Sequence, residues 1–200
     1  MLQSLAAALI AAWIAAPAIV RAEEAGGTAA HRHSGFYLHL DAGVGFMGAL
    51  APGTSLSAAA SGRSIAIGGA VSEGLVLAGH AFSLGFASSA LHGGTWPPSP
   101  DGKDRVELSG VGPNLTWYAM PANVYLSFTP AVTTATRTVN HVVTDPKTGV
   151  GARFAAGKEW WLAEHWGLGG ALQLTWSRNA FDDAPWTTLA AAVALSATYN

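Results

Sequence analysis

The sequence contains no cysteine among its 200 residues, so disulfide bonds and thiolate metal ligands are excluded. Charged residues are scarce as well, at 11% of the chain, against about 25% in an ordinary soluble domain. The formal net charge of -2 gives no electrostatic reason to expect nucleic acid or an acidic substrate as a partner. Because 50% of the residues are hydrophobic, we expect a large surface that faces something other than water, or charge that is confined to loops.

Long apolar runs are also absent after the first residues of the chain. The run from Leu5 to Val20 is shorter than the roughly 20 residues that a membrane-spanning helix needs. With small residues around Ala22 it predicts a secretory signal peptide over residues 1–22. The first four residues lack the Lys or Arg that usually opens such a signal, which is consistent with a true start upstream of Met1. A buried helix and an uncleaved anchor are the alternatives to a signal peptide. No transmembrane helix is expected beyond Val20.

Residues 23–34 are small and polar and predict a flexible lead-in to a folded domain. His31 and His33 form an H-x-H pair that has the donor atoms for a metal ion. A solvated tail is the interpretation we favour for this segment, so no metal site is expected there.

From Gly35 onward the dominant feature is a period of two. In the stretch GFYLHLDAGVGF, residues 35–46, one alternate set is bulky and apolar and the other is polar or small. The apolar set begins with Phe36, Leu38 and Leu40, and Tyr37 lies between them on the opposite set. Such alternation predicts a β-strand with one apolar face.

The same alternation recurs along the chain and predicts eight strands. We place them near residues 35–47, 60–71, 75–87, 106–118, 123–136, 149–161, 166–177 and 187–199. The connections at 72–74, 119–123 and 162–165 are short. Those at 48–59, 88–105, 137–148 and 178–186 are longer. An even number of strands with alternating short and long connections is typical of an up-and-down barrel in an outer membrane.

The size of the side chains on each face separates two kinds of barrel. A soluble ligand-binding barrel places its large apolar residues inside, whereas the narrow interior of an eight-stranded barrel has room only for side chains. Here one face carries Leu, Val, Phe and Trp, and the other carries mainly Gly, Ala, Ser and Thr. The prediction is therefore an all-β domain over residues 35–200, an eight-stranded antiparallel up-and-down transmembrane β-barrel.

Aromatic residues gather beside the predicted short turns. The stretch KEWWLAEHWGLG, residues 158–169, holds three tryptophans next to charged residues. Tryptophan and tyrosine are enriched where hydrocarbon meets headgroups. The predicted membrane-interface anchors are Trp117, Tyr118, Trp160, Trp161, Trp166, Trp176, Trp186 and Tyr199, with Tyr37, Phe46 and Phe86 at the same levels. Core tryptophans of a soluble sandwich or a carbohydrate-stacking site are the alternatives.

The chain resembles the small outer-membrane β-barrel proteins of Gram-negative bacteria, the OmpA/OmpX-type eight-stranded class. The segments that carry the resemblance are GFYLHLDAGVGF, GVGPNLTWYAMPANVYLS, VGARFAAGKEWWLAEHWGLGGALQL and TTLAAAVALSATY. The resemblance implies localisation in the outer membrane and no cofactor. It also implies contact with membrane lipid and lipopolysaccharide, assembly by the barrel-insertion machinery as a monomer, and no nucleic-acid partner. Such proteins usually end in an aromatic residue, whereas this chain ends in Tyr199-Asn200.

Few ionisable residues fall on the predicted inner face. This lumen polar cluster consists of His39, Asp41, Glu107, Arg153 and Glu159. Because an unpaired buried charge costs several kcal/mol (order of magnitude), we predict that Arg153 bonds at least one of the three carboxylates. A set of structural salt bridges is the favoured interpretation, and a gated pore, a proton path or an active site are the alternatives.

Catalysis is not expected from the remaining motifs. His80 falls on the apolar face of its predicted strand, and Ser83, three residues further on, falls on the opposite face. No G-x-S-x-G elbow is present, and no G-x-G-x-x-G, P-loop or zinc motif occurs near the stretch KEWWLAEHWGLG. Pro113 and Pro130 oppose the strand prediction, and a bulge at 110–113 would accommodate the first. With no catalytic, cofactor or metal residues assigned, the expected role is structural or interactive at the cell surface. A narrow channel for small solutes or ions and a soluble periplasmic ligand-binding barrel are the alternatives.

The predicted outer loops carry most of the remaining cations. Lys103, Arg105, Arg137 and Lys147 are near the ends of long connections and could meet lipid phosphates. Ordinary solvated loop charge is the favoured interpretation.

Overall fold

The structure is a computed structural model and describes residues 33–52, 54–87, 105–139, 142–143, 145–180 and 185–200. The predicted signal peptide and most of the lead-in, with His31, lie outside these residues. Lys103 and the side chains of Phe86 and Arg137 are outside the description as well. Among the described residues, no helix is long and apolar enough to cross a membrane.

Eight long strands and one short one make up the described fold. The strands are β1 (Phe36–Ala51), β2 (Thr54–Ser72), β3 (Leu75–Ala87), β4 (Arg105–Ala119), β5 (Val124–Val139), β6 (Val142–Val143), β7 (Lys147–Trp161), β8 (Trp166–Ala180) and β9 (Pro185–Tyr199). Every pairing between them is antiparallel. The eight long strands match the eight predicted strands, and β6 only extends the hairpin that follows β5.

The sheet closes on itself, because β4 pairs with β5 and β1 pairs with β9. A path across paired residues from Phe36 runs round the barrel through Gly69, Leu77, Leu115, Phe128, Phe154, Leu174 and Ala191 to Phe46. It returns to β1 ten residues from its start, since 46 − 36 = 10. This stagger means that the strands are tilted against the barrel axis.

The orientation of the two faces confirms the expectation for a membrane barrel. Leu40, Leu172 and Leu174 are 40%, 54% and 54% exposed, and Leu38 is half-buried. Residues of the opposite alternation, such as Gln173, are buried inside. This arrangement is the reverse of a soluble carrier, which places its large apolar residues inside. Along β1 and β8 the bulky apolar residues therefore face outward and the polar or small residues face inward, as predicted.

The strands are longer than predicted at the end of the barrel where the predicted long connections lie. The prediction of a long connection over 48–59 is wrong, because β1 and β2 stay paired until Ala51 faces Thr54. Residues of this segment are mostly small and lack a clear alternation of size. Backbone pairing does not require that alternation, so the ladder continues where the side-chain pattern fades.

In the halves of β3 and β4 that lie nearer the long connections, the side chains face the opposite way to the one predicted. Leu84 and Leu108 are buried inside at 3% and 1% exposure, and they pair directly. The register between β3 and β4 runs without a shift from Leu75 to Ala87, so the predicted bulge at 110–113 is absent. These residues belong to an apolar cluster that fills this end of the lumen: Met47, Ala58, Leu84, Leu108, Ala135 and Ala190.

The two prolines lie opposite each other on β4 and β5. Pairing between these strands stops at Val111 and resumes at Leu115, because proline has no N–H to donate to the ladder. The side chain of Asn114 bridges this gap, since its amide nitrogen lies 2.6 Å from Ser127 Oγ and 2.9 Å from Thr129 Oγ1. A closed barrel thus accommodates Pro113 and Pro130 at one local break.

Candidate functional site

The candidate site is the polar core inside the barrel. His39 and Asp41 come from β1, and Arg153 and Glu159 come from β7. All four side chains are buried, because the period of two directs these positions inward. The strand tilt brings the two strands' residues to similar levels across the lumen.

Arg153 is at the centre of the first group of contacts. Its Nη2 lies 3.2 Å from Asp41 Oδ1 and 2.5 Å from Gln173 Oε1. Its guanidinium carbon is 5.1 Å from the centre of the Phe82 ring. Asp41 also accepts a hydrogen bond from Ser64. The predicted pairing of Arg153 with one of three carboxylates is therefore confirmed, and Asp41 is the partner.

Glu159 is at the centre of the second group, nearer the short turns. Its Oε1 accepts a hydrogen bond of 2.6 Å from the Thr198 hydroxyl. His39 Nδ1 lies 2.8 Å from the same hydroxyl oxygen and 3.4 Å from Glu159 Oε1. The Tyr118 hydroxyl is 3.4 Å from Glu159 and 3.1 Å from the Tyr37 hydroxyl. Two tyrosines, a threonine and a histidine thus surround one buried carboxylate.

His39 connects the two groups. Its Nε2 is 3.8 Å from Asp41 Oδ2, and its other ring nitrogen faces Glu159. A continuous chain of polar contacts therefore runs from Arg153 through Asp41 and His39 to Glu159. Chemically this arrangement neutralises buried charge and holds strands together across the lumen.

Two residues of the polar core were assigned elsewhere from the sequence. His80 is buried inside, with Nδ1 2.8 Å from Thr129 Oγ1, although the residue alternation predicts it on the apolar face. Tyr118 is 2% exposed and joins the Glu159 group, so its assignment as an interface anchor is corrected. Because neighbouring residues of a strand point to opposite faces, an outward Trp117 would have indicated an inward Tyr118. On β3 both faces carry apolar residues, so its sequence has no comparable signal for His80.

Glu107, in contrast, is predicted inside the barrel and lies outside. The residue alternation predicts Glu107 in the lumen, but Leu108 faces inward and Glu107 therefore faces outward, partly exposed. Its Oε1 accepts a hydrogen bond of 2.8 Å from Ser83 Oγ on the adjacent strand. The physical reason is the unshifted register of β3 and β4. Four of the five predicted cluster residues meet inside, and the fifth lies on the wall.

The predicted interface anchors divide between the two faces. Trp117, Trp166 and Trp176 are exposed on the outer face at 51%, 45% and 42%. Trp160 and Tyr199 share their outward alternation and are half-buried, and the rings of Trp166 and Tyr199 are 5.2 Å apart. Trp161 and Trp186 fall on the inward alternation of β7 and β9, together with Glu159 and Thr188. The outward five lie on the face that the prediction requires, and their assignment as interface anchors stays a prediction.

His33 closes the lumen at the end of the short turns. The composition of residues 23–34 predicts a flexible lead-in, but His33 is 2% exposed and stacks on Tyr118 with 3.5 Å between ring centres. Its Nδ1 lies 2.9 Å from Asn200 Oδ1 and its Nε2 lies 2.8 Å from Asn123 Oδ1. The segment before β1 is thereby tied to the last residue of the chain.

Little empty space remains around the polar core. The cavity bounded by His39, Asp41, His80 and Arg153 measures about 20 Å³, enough for about one water molecule. Among the described residues, no group of three or more His, Cys, Asp or Glu side chains is arranged to hold a metal ion. In the described part of the lumen the side chains therefore pack against one another.

Gly157 makes room for one of the core tyrosines. A Cβ at this position would lie 2.4 Å from two atoms of the Tyr125 ring. We expect Gly157→Ala to destabilise the barrel by about 1–3 kcal/mol, the usual cost of overpacking. The measurement is the urea midpoint of the refolded protein in detergent. Gly170→Ala is the matched control, because its Cβ meets nothing closer than 3.7 Å; equal midpoints for the two variants would contradict this packing.

The fold and the filled interior define a class of protein, the closed eight-stranded, all-antiparallel β-barrel with an apolar outer wall, as in small outer-membrane barrels. No protein-family profile matches the sequence, and no curated protein matches it. Among solved structures, Ail, the attachment invasion locus protein of Yersinia pestis, in complex with the heparin analogue sucrose octasulfate, is 9% identical with a TM-score of 0.46. The match covers 81% of this chain and 99% of Ail. Neisserial surface protein A is 15% identical with a TM-score of 0.48, over 80% of this chain and 96% of that chain.

Proposed function

We propose that this protein is an outer-membrane barrel of a Gram-negative bacterium with a structural or surface-interaction role and no catalytic activity. The observation that carries the proposal is the opposition of the two faces. Large apolar side chains cover the outside of the barrel, while Arg153 and Asp41 form a buried ion pair inside and buried Glu159 accepts a hydrogen bond from Thr198. A wall of this kind is stable when it faces hydrocarbon.

Membrane lipid and lipopolysaccharide are the proposed partners of the wall. The outward Trp117, Trp166, Trp176, Trp160 and Tyr199 would lie at the two interfaces of the membrane, where amphipathic rings are favoured. Insertion by the barrel-insertion machinery, as a monomer and after removal of residues 1–22, completes the proposal. No cofactor and no nucleic acid enter it.

The packed lumen supports an interactive role over transport. A channel requires a continuous water-filled path, whereas the polar core leaves about 20 Å³ around His39 and Arg153. The charges that a pore would present to ions are used for pairing inside the protein. We therefore place the function on the outer surface of the barrel and on the connections at its outer end.

The experiment that tests the proposal is expression in a Gram-negative host, followed by membrane fractionation and gel migration with and without boiling. A closed barrel stays compact in SDS until it is heated, so we expect a heat-dependent shift in the outer-membrane fraction. Recovery of the protein from the periplasm without detergent would contradict the proposal. Planar bilayers test the alternative, since steady single-channel conductance by the purified protein would assign it a channel function instead.

A further inference from the structure

One side of the outer wall carries a row of polar residues among its apolar ones. Arg63 on β2 is exposed and shares the outward alternation of Ile65 and Ile67. It faces Ser83 on β3, which in turn faces Ser109 on β4. A polar row therefore begins at Arg63 and crosses three adjacent strands.

Arg63 lies within the apolar wall, because outward apolar residues continue beyond it toward the outer end of the barrel, where the long connections lie. On β1 its partner is Ala42, and the outward residues Val44 and Phe46 continue toward the outer end at 69% and 71% exposure. An arginine on the lipid-facing side costs about 2–4 kcal/mol near the membrane centre and about 0–1 near its surface. Charged residues at membrane depth usually have a functional partner. Within the part of the chain that the structure describes, no ion pair or hydrogen bond of Arg63 is found.

Arg63 lines a groove of about 680 Å³ on the outside of the barrel. One side of the groove is apolar and is formed by Val44, Val193 and Leu195. The other side is polar, and Ser61 and Arg63 contribute to it. The groove is amphipathic across its width, so it matches a ligand that has both an acyl chain and a charged group.

A second arginine reaches into the same groove. Arg105 faces Ala87 in the register of β3 and β4. Its Nη2 nevertheless lies 3.7 Å from the place where a Cβ on Gly85 would be, so the guanidinium extends toward the groove and away from the outer end. Glu107 is held by Ser83, and two guanidinium groups against one carboxylate leave this side with net positive charge.

We propose that this groove binds the phosphorylated glycolipid of the outer leaflet, an inference that rests on the proposed outer-membrane function. Phosphate oxygens accept charge-assisted hydrogen bonds from Arg63 and Arg105, and an acyl chain lies along Val44, Val193 and Leu195. The lipid source is favoured over a soluble phosphate, because the arginines stand beside an apolar wall that is open to the membrane. An acidic peptide has no acyl chain to pack against that apolar wall.

The test compares two variants of the refolded protein in a neutral detergent by native mass spectrometry with diphosphoryl lipid A. The wild type is expected to retain one lipid. Arg63→Gln combined with Arg105→Gln is expected to weaken binding at least about tenfold, the factor that one hydrogen bond to a charged group supplies. Arg178→Gln is the matched control, since Arg178 is exposed on β8, away from the groove. It is expected to bind like the wild type.

Three further probes identify the ligand chemistry. Lipid A without phosphates should bind the wild type and the double variant equally weakly. Inorganic phosphate should not compete, and phosphatidylglycerol should bind less tightly than lipid A. Equal lipid A binding by wild type and double variant overturns the proposal, and so does equal binding of phosphatidylglycerol.

A second measurement leaves both arginines in place. Because the chain has no cysteine, Ser61→Cys carries a single photo-crosslinker into the groove, and Arg178→Cys carries it elsewhere on the wall. Crosslinking to lipid A is expected from position 61 and not from position 178. Equal crosslinking from the two positions overturns the proposal that the groove binds the lipid. A barrel that is heat-modifiable in the outer membrane but fails these tests disproves the groove alone, whereas absence from the membrane disproves the proposed function.

Discussion

Arg153→Ala is expected to destabilise the barrel by about 3–5 kcal/mol, because it leaves a carboxylate buried without its counter-ion. Arg153 Nη2 is 3.2 Å from Asp41 Oδ1, and the two side chains are 2% and 4% exposed. Removal of the cation also leaves Gln173 Oε1 without its closest donor. The measurement is the free energy of unfolding in urea, with the folded fraction followed by gel migration without boiling.

The control for this prediction is the double variant Arg153→Met with Asp41→Leu. Replacing both members of a buried pair by apolar residues of similar size is often neutral or stabilising. We therefore expect the double variant to be more stable than Arg153→Met alone and more stable than Asp41→Leu alone. If the two single losses simply add in the double variant, the ion pair is not what holds the polar core together.

Leu172→Arg is expected to cost about 2–4 kcal/mol in lipid bilayers, the penalty for arginine on the lipid-facing side at the membrane centre. Leu172 lies halfway along β8 and is 54% exposed. In a soluble protein an arginine at such an exposed position would be tolerated, so the size of the loss tests the solvent that the wall faces. The measurement is the folding free energy in large unilamellar vesicles.

Ala180→Arg is the matched control on the same strand and the same face. Ala180 is exposed at the last residue of β8, where a charge costs about 0–1 kcal/mol near the membrane surface. A gradient between positions 172 and 180 is expected for a membrane barrel. Equal effects of the two arginines would contradict the membrane assignment.

The interior and the wall suggest different contributions to the role of this protein. Arg153, Asp41, His39 and Glu159 bond one another, and their burial leaves little room for solute or water. Specific recognition is therefore expected at exposed residues, and the wall around Arg63 has both an unpartnered charge among the described residues and an adjacent groove. The distribution of polar groups thus favours binding at the outside of the barrel.

Residue alternation was sufficient to predict the strands and most orientations. Along β8 each predicted outward residue from Trp166 to Trp176 is exposed, and Ala171, Gln173 and Thr175 are buried between them. The prediction failed where both faces of a strand carry apolar residues. On β3 and β4, Leu84 and Leu108 look like lipid-facing residues, but they fill the inside, and Ser83 and Glu107 face outward.

The identities of the partners in the polar core could not be read from the chain. By sequence alone, Asp41, Glu107 and Glu159 are equivalent candidate partners of Arg153. The stagger of ten residues around the barrel decides which inward residues of β1 and β7 share a level, and it selects Asp41. The stagger is a property of all eight pairings at once, so no single segment contains it.

The sequence by itself determined the class of architecture. Alternating side chains of unequal size and scarce charge require strands with one apolar face, and the turn spacing joins them up and down. Only the tertiary structure decided the closure, the pairing of Arg153 with Asp41, the entry of His33 and His80 into the lumen, and the meeting of Arg63 and Arg105 at one groove. The physical reason is that side-chain alternation is a local property of each strand, whereas level and neighbourhood in a barrel depend on the register of every strand in the ring.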